Sequence, residues 1–188
     1  RVEIGKSARF RATALREGGE NASYSREFAF SKSTGRPAVL NTKPNDSYTF
    51  EGASLLVDGY HSRPVFTSGA WLGYLDEPLD VTIDMGGEQS YRSVELETLA
   101  EKGDWIFPPS SVTVWVSDNG TDFTEVASVA VPEAKAGDAD GIGRYRMQFP
   151  ETSARYLKVV AQNAAAIPAW HPGAGSKGFL FVDEVVVE

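Results

Sequence analysis

The chain of 188 residues has about the length of one domain, and its 41% hydrophobic and 23% charged residues exclude disorder as a description of the whole. With 26 Asp and Glu against 18 Lys and Arg, the net charge of -8 excludes the basic footprint that nucleic acid or an anionic membrane requires. The absence of cysteine excludes a disulfide framework, a thiolate nucleophile and a thiolate metal site, and the apolar runs fall short of the roughly 18 residues of a membrane span.

The N-terminal Arg1-Val-Glu-Ile4 lacks the charged-then-apolar pattern of a signal sequence, so the chain reads as mature or cut from something longer. Ala8, Phe10, Ala12 and Ala14 then alternate with Arg9, Arg11 and Thr13, the period of a half-buried strand, and Ser25 to Phe30 is the next strand candidate. Gly35, Pro37 and Pro44 place a boundary within 31–44, separating a piece at 1–31 from the body at 32–188. Leu79, Val81, Ile83 and Met85 alternate with Asp80, Thr82 and Asp84, and Arg92 to Leu99 follows as a further strand. A capped helix with an apolar face at Leu96, Leu99 and Ala100 competes there; strand is preferred because Val94, Leu96 and Thr98 also alternate. Val112, Val114 and Val116 alternate with Thr113, Trp115 and Ser117. Asn119-Gly120 predicts a tight hairpin turn, since both residues accept φ > 0. Phe123 to Val131, Arg144 to Phe149, Arg155 to Ala161 and Phe179 to Val187 complete the strands. Many short strands with no long helix between them predict an all-β fold, an antiparallel β-sandwich of jelly-roll type.

Catalytic signatures are missing. The chain has two histidines, His61 and His171, and no nucleophile elbow, zinc-binding helix or phosphate loop. Asp138 with Asp140, or Asp183 with Glu184, are the acid pairs to weigh for glycoside hydrolysis. Strand neighbours point to opposite faces, which argues against Asp183 with Glu184. Solvated or structural acids are the preferred reading, with no catalytic residue. In Leu55-Leu-Val-Asp58-Gly59-Tyr60 a carboxylate and nearby carbonyls converge on a turn that suits a hard cation such as Ca²⁺, or else Asp58 simply bonds its own backbone. Trp71 and Trp115 lie in apolar surroundings and are read as core. Trp105, and Trp170 with His171, lie among Pro, Gly and charged residues. An exposed indole there stacks on a sugar face while a neighbouring imidazole bonds hydroxyls; equally, Trp170 folds back to close the sandwich end with His171 on a backbone group.

Seven stretches occur together in one order: Leu55-Leu-Val-Asp-Gly59, Trp71-Leu-Gly-Tyr74, Val81-Thr-Ile-Asp-Met-Gly86, Phe107-Pro-Pro-Ser-Ser-Val-Thr-Val114, Val116-Ser-Asp-Asn-Gly-Thr-Asp-Phe123, Ala154-Arg-Tyr-Leu-Lys-Val159 and Phe181-Val-Asp-Glu-Val185. In that order they resemble the discoidin, or coagulation-factor type C, family, the galactose-binding-like jelly roll that also hosts family 32 carbohydrate-binding modules, over 32–188. Trp170-His-Pro-Gly-Ala-Gly175 before Phe179 to Glu184 is similar to the C-terminal module of bacterial exported family 20 glycoside hydrolases, the β-N-acetylhexosaminidases or chitobiases. Ile4 to Ala14 with Tyr24 to Phe30 is similar to the last two strands of a small β-domain that precedes that module.

The resemblance implies an extracytoplasmic, non-catalytic module whose partners are glycans containing N-acetylhexosamine or galactose and the catalytic domain of a parent chain. The alternative is a ligand-free module that stabilises that domain. It also implies a structural Ca²⁺ on the carboxylates of Asp58 and Glu184 and the carbonyls of Leu55, Tyr60 and Asp183. Arg63 stands where a Thr or Ser usually ligates, with Ser62 as substitute. Ligand loops would meet at one end of the sandwich, from Lys43 to Asp46, Glu101 to Pro109 and Gln162 to Gly178. That brings together Trp105, Trp170 and His171, with Tyr60 and His61 as additions.

Overall fold

The computed structural model describes residues 6–15, 18 and 22–188. The first four residues of the chain, and Ile4 and Gly5 of the N-terminal resemblance, lie outside them. Strands β1 (Ala8–Ala14) and β2 (Ala22–Phe28) pair antiparallel with each other and form a separate two-stranded sheet. Both of their faces are largely exposed, a departure from the half-buried strands that the alternation predicts. The hairpin meets the rest of the chain at the Asp58–Tyr60 turn, where the Ala29 N–H donates to the Gly59 carbonyl at 2.7 Å and Phe28 packs against Tyr60.

The remaining strands are β3 (Ala38–Leu40), β4 (Leu72–Tyr74), β5 (Leu79–Ala100), β6 (Ser111–Ser117), β7 (Thr124–Ala130), β8 (Gly141–Gln162) and β9 (Leu180–Val187). Four strands that the sequence reads separately are halves of β5 and β8, which pair along their length with register shifts between Asp84 and Gln89 and between Tyr91 and Ser93. Extra residues at a bulge bend a strand without ending its ladder, so Gly86, Gly87 and Pro150 sit in a bend instead of a turn. The first half of β5 pairs with β3 and the end of β8, which pairs in turn with β6; the second half pairs with β9, which carries β4. One ladder therefore folds over into two antiparallel layers, the predicted sandwich. Val81 and Ile83 from one half of β5 and Val94 and Leu96 from the other share one core with Val114, Leu157, Val159 and Val182. Each such fully buried side chain contributes roughly 1.5–3 kcal/mol. Among the described residues no helix is long and apolar enough to cross a membrane.

Two further expectations are corrected. Trp71 is fully buried, its Nε1 donating to the Arg63 carbonyl at 3.0 Å, but Trp115 is only half-buried, because it alternates with the inward Val114 and Val116 and lies on the outer face. At Asn119-Gly120 only Gly120 takes a positive φ, of 76°. The Asn119 Oδ1 instead accepts from the Thr121 and Asp122 N–H groups at 2.9 Å each, so β6 and β7 are joined by an Asn-capped loop and not by a two-residue turn.

Ala100 stands opposite Gly141, and Ser111 opposite both Gln162 and Ala130, so the connections 101–110, 131–140 and 163–179 all leave from one end of the sandwich. Lys43 to Asp46 reaches the same end, where the Asn45 N–H donates to the Gly73 carbonyl at 2.8 Å. This rim is where the loop aromatics lie.

Candidate functional site

At the rim, a 3₁₀ turn at Lys102–Asp104 ends on Trp105, whose backbone is left-handed at φ 63° and ψ 27°. For a non-glycine residue that costs about 1 kcal/mol or more. It persists because the chain is tied on both sides: the Phe107 N–H donates to the Phe179 carbonyl at 2.9 Å and the Phe179 N–H to the Trp105 carbonyl at 2.8 Å. Trp105 is 43% exposed. Gly173 lies against it so closely that a Cβ would fall 2.8 Å from Trp105 Cζ2.

Trp170 is 39% exposed, and its Nε1 donates to the Ala134 carbonyl at 2.9 Å. His171 is buried. Its Nδ1 accepts from the Gly173 N–H at 3.0 Å, which leaves the proton on Nε2 to donate to the Lys102 carbonyl at 2.9 Å. Trp105, Phe107 and Trp170 stand edge-on around the imidazole, with ring centroids 6.1, 5.5 and 5.5 Å from it. The structure thus brings Trp105, Trp170 and His171 together, but both nitrogens of His171 are engaged inside the loop. It positions the tryptophans and has no group left to bond a sugar hydroxyl.

Lys102 is buried, and its Nζ donates to the Asp138 carbonyl at 2.9 Å and pairs with the Asp140 carboxylate. That hydrogen bond holds the Asp140 carboxyl below its ordinary range. Asp138 bonds the Lys135 N–H at 2.7 Å. These two acids tie loop 131–140 to the rim, a structural role.

Tyr60 and His61 lie elsewhere. They line a cleft of about 670 Å³ between the β1–β2 hairpin and the sandwich, with Arg9, Arg26, Arg63 and Arg144; none of Trp105, Trp170 and His171 lines it. The Arg26 guanidinium sits 3.7 Å from the Tyr60 ring centroid, a cation–π stack. His61 Nδ1 lies 2.6 Å from the Oε2 of buried Glu97, which also accepts from Arg144 Nε at 3.2 Å. The hydrogen bond that His61 donates to the Glu97 carboxylate raises the His61 pKa. Sequence reasoning missed Glu97, Arg9, Arg26 and Arg144, which are scattered over the chain and carry no local signal, and singled out Arg63 only as a departure in the metal turn.

The acids assigned to a metal gather beneath the same loop. Leu96 pairs with Val185 and Thr98 with Val182, so Glu97 alone faces both Asp183 and Glu184. This bulge overturns the expectation that Asp183 and Glu184 point apart. Asp183 accepts from the Ser62 N–H at 2.7 Å, and both oxygens of Glu184 accept from the Gly59 N–H at 3.2 Å. Asp58 accepts from the Tyr60 N–H at 2.7 Å. Burial first, then neighbouring acids, push Asp183 up to about 7 and Glu184 up to about 10. Leu55 is buried in the turn that leads into Asp58. Among the described residues, no three His, Asp or Glu side chains converge as a metal cluster. A cation here would rest on Asp58, Glu184 and backbone carbonyls, an all-oxygen set that suits a hard ion.

No curated protein matches the sequence significantly. Among solved structures, chitosan-binding module 1 of a chitosanase/glucanase from Paenibacillus sp. IK-5 is similar at 17% identity over 85% of this chain and 98% of that one, with a TM-score of 0.54. Module 2 of the same enzyme, solved with chitotriose, matches at 17% identity over 83% and 98%, TM-score 0.52. The Clostridium perfringens module CpGH89CBM32-5, solved with GalNAc-β-1,3-galactose, matches at 16% over 80% and 93%, TM-score 0.52. Likeness at these identities establishes the shared fold. The model of the F5/8 type C domain matches residues 40–177, and the chain belongs to that family.

Proposed function

We propose that the chain is a non-catalytic carbohydrate-binding module of an exported, extracytoplasmic glycoside hydrolase of the β-N-acetylhexosaminidase or chitobiase kind, with the β1–β2 hairpin as the end of a preceding small β-domain. The observation that carries the binding role is Trp105, a large apolar ring held half-exposed in an unfavourable backbone conformation at the loop end of the sandwich. Such a ring offers a stacking face for a pyranose, with Trp170 beside it. The likeness in fold to modules solved with sugars supports the same reading. A single platform binds weakly, near 1 mM or about -4 kcal/mol, which suffices when tethering raises the effective concentration.

The test is a titration with N-acetylglucosamine, N-acetylgalactosamine, galactose and chitobiose, followed by Trp fluorescence and amide NMR. Saturable shifts at Trp105 and Ile106, lost in Trp105→Ala, are expected. No shift at tens of millimolar sinks the reading.

A ligand-free module that packs on the catalytic domain is the second reading. It is favoured by a groove of about 380 Å³ lined by Pro108, Pro109, Pro132, Ala134 and Ala166, beside a Trp170 whose Nε1 is already bonded.

A structural Ca²⁺ belongs to the proposal, held by the carboxylates of Asp58 and Glu184 and the carbonyls of Leu55, Tyr60 and Asp183. The crowding of buried acids, which a dication would relieve, supports it.

A further inference from the structure

We propose that the cleft between the β1–β2 hairpin and the sandwich binds an acidic saccharide unit, whose carboxylate or sulfate pairs with Arg26 and Arg63. The choice of a saccharide as carrier of the charge rests on the function proposed above; the choice of an anion does not. In a chain with net charge -8, this one cleft is lined by Arg9, Arg26, Arg63 and Arg144 against the single acid Glu27. Two of the four are neutralised: Arg9 pairs with Glu27 at 3.0 Å, and Arg144 with Glu97 at 3.2 Å. Arg63 is exposed and has no carboxylate partner among the described residues. Arg26 is exposed and stacked on Tyr60, and a stacked guanidinium keeps its in-plane N–H fork, the geometry that meets a carboxylate or sulfate through two parallel hydrogen bonds.

The nearby acids offset part of this field without pairing with either guanidinium. Glu97 is buried and shared between Arg144 and His61, while Asp58, which interacts with Arg26 electrostatically, accepts from the Tyr60 N–H and forms no ion pair with Arg26. His61 adds the second half of the recognition. Its Nδ1 is held by Glu97, which leaves Nε2 for a hydroxyl, so a bare anion meets only part of the site and a hydroxylated one meets all of it. About 670 Å³ accommodates one or two sugar rings.

The test is an amide NMR titration of the chain with galacturonic acid and with N-acetylglucosamine 6-sulfate, against galactose, N-acetylglucosamine and sodium sulfate. The acidic sugars are expected to shift Tyr60 to Arg63 and Ser25 to Phe28, saturably and less at high salt. Arg26→Gln/Arg63→Gln, checked for folding by circular dichroism, is expected to weaken this about tenfold. The two acidic arms tell carboxylate from sulfate. Equal shifts by galactose and galacturonate, sulfate acting as strongly as the sugars, or no shift in the cleft each overturn the proposal. Shifts at Trp105 to Phe107 with neutral sugars report separately on the rim, so failure of one site is distinguishable from failure of the other.

Discussion

The rim and the cleft each pair an imidazole with aromatic rings, yet their hydrogen bonds point in opposite directions. His171 has both nitrogens bonded within its own loop cluster, and three aromatic rings stand around it as a framework. His61 has one nitrogen bonded to a buried carboxylate and lines an open cleft. An aromatic next to a histidine is therefore no ligand signal in itself. What decides is whether the ring nitrogens are already satisfied, and where the remaining one points.

Removing the enclosed imidazole breaks the structural half of this contrast. His171→Ala removes two hydrogen bonds and the centre of the aromatic cluster, so it is expected to cost about 2–4 kcal/mol in urea unfolding and to disorder the rim. A loss below half of the lower bound would mean that the tryptophans hold themselves.

Calcium comes next, on the cleft side. Asp183 and Glu184 are raised to about 7 and about 10, so the metal-free folded chain keeps protons that the unfolded chain releases in the ordinary carboxylate range. Its stability therefore falls as pH rises from about 4 toward those values. Ca²⁺ at 100 times its Kd is expected to add about 2.7 kcal/mol at pH 8 and less at pH 5, read as the Tm difference from EDTA. An equal difference at both pH values would contradict binding at these acids.

His61→Ala should destabilise less than His171→Ala, by about 1–2 kcal/mol, because Glu97 keeps Arg144. A larger loss would reverse the ranking of the two histidines. Smallest is Gly173→Ala, which pushes on the Trp105 ring and is expected to cost about 1 kcal/mol, since the half-exposed indole moves outward. Its readout is a shifted Trp emission together with weakened rim binding; unchanged emission would show that the contact is slack.

The fold was legible because its signal is local. Alternation at Val81 to Met85, Val94 to Thr98 and Val112 to Val116 names the strands and their inward faces without knowledge of any partner, and the sandwich follows from there. The same alternation misled at Ala8 to Ala14, whose apolar positions find no second layer, whereas at Trp115 it correctly gave the outward parity and the apolar neighbours misled. Of the candidate site, the gathering of Trp105, Trp170 and His171 at one end could be anticipated from loop order. Their division of labour could not.

Strand periodicity, fold class and family resemblance are thus properties of residues near one another in the chain or of their order along it, and were readable from the sequence. That β5 and β8 run unbroken through both layers, that a bulge turns Asp183 and Glu184 toward one loop, and that His171 is enclosed while His61 is not are set by the packed fold. Those outcomes depend on register and on hydrogen-bond partners more than 30 residues apart, as His61 and Glu97 are at a separation of 36, and no local pattern encodes them.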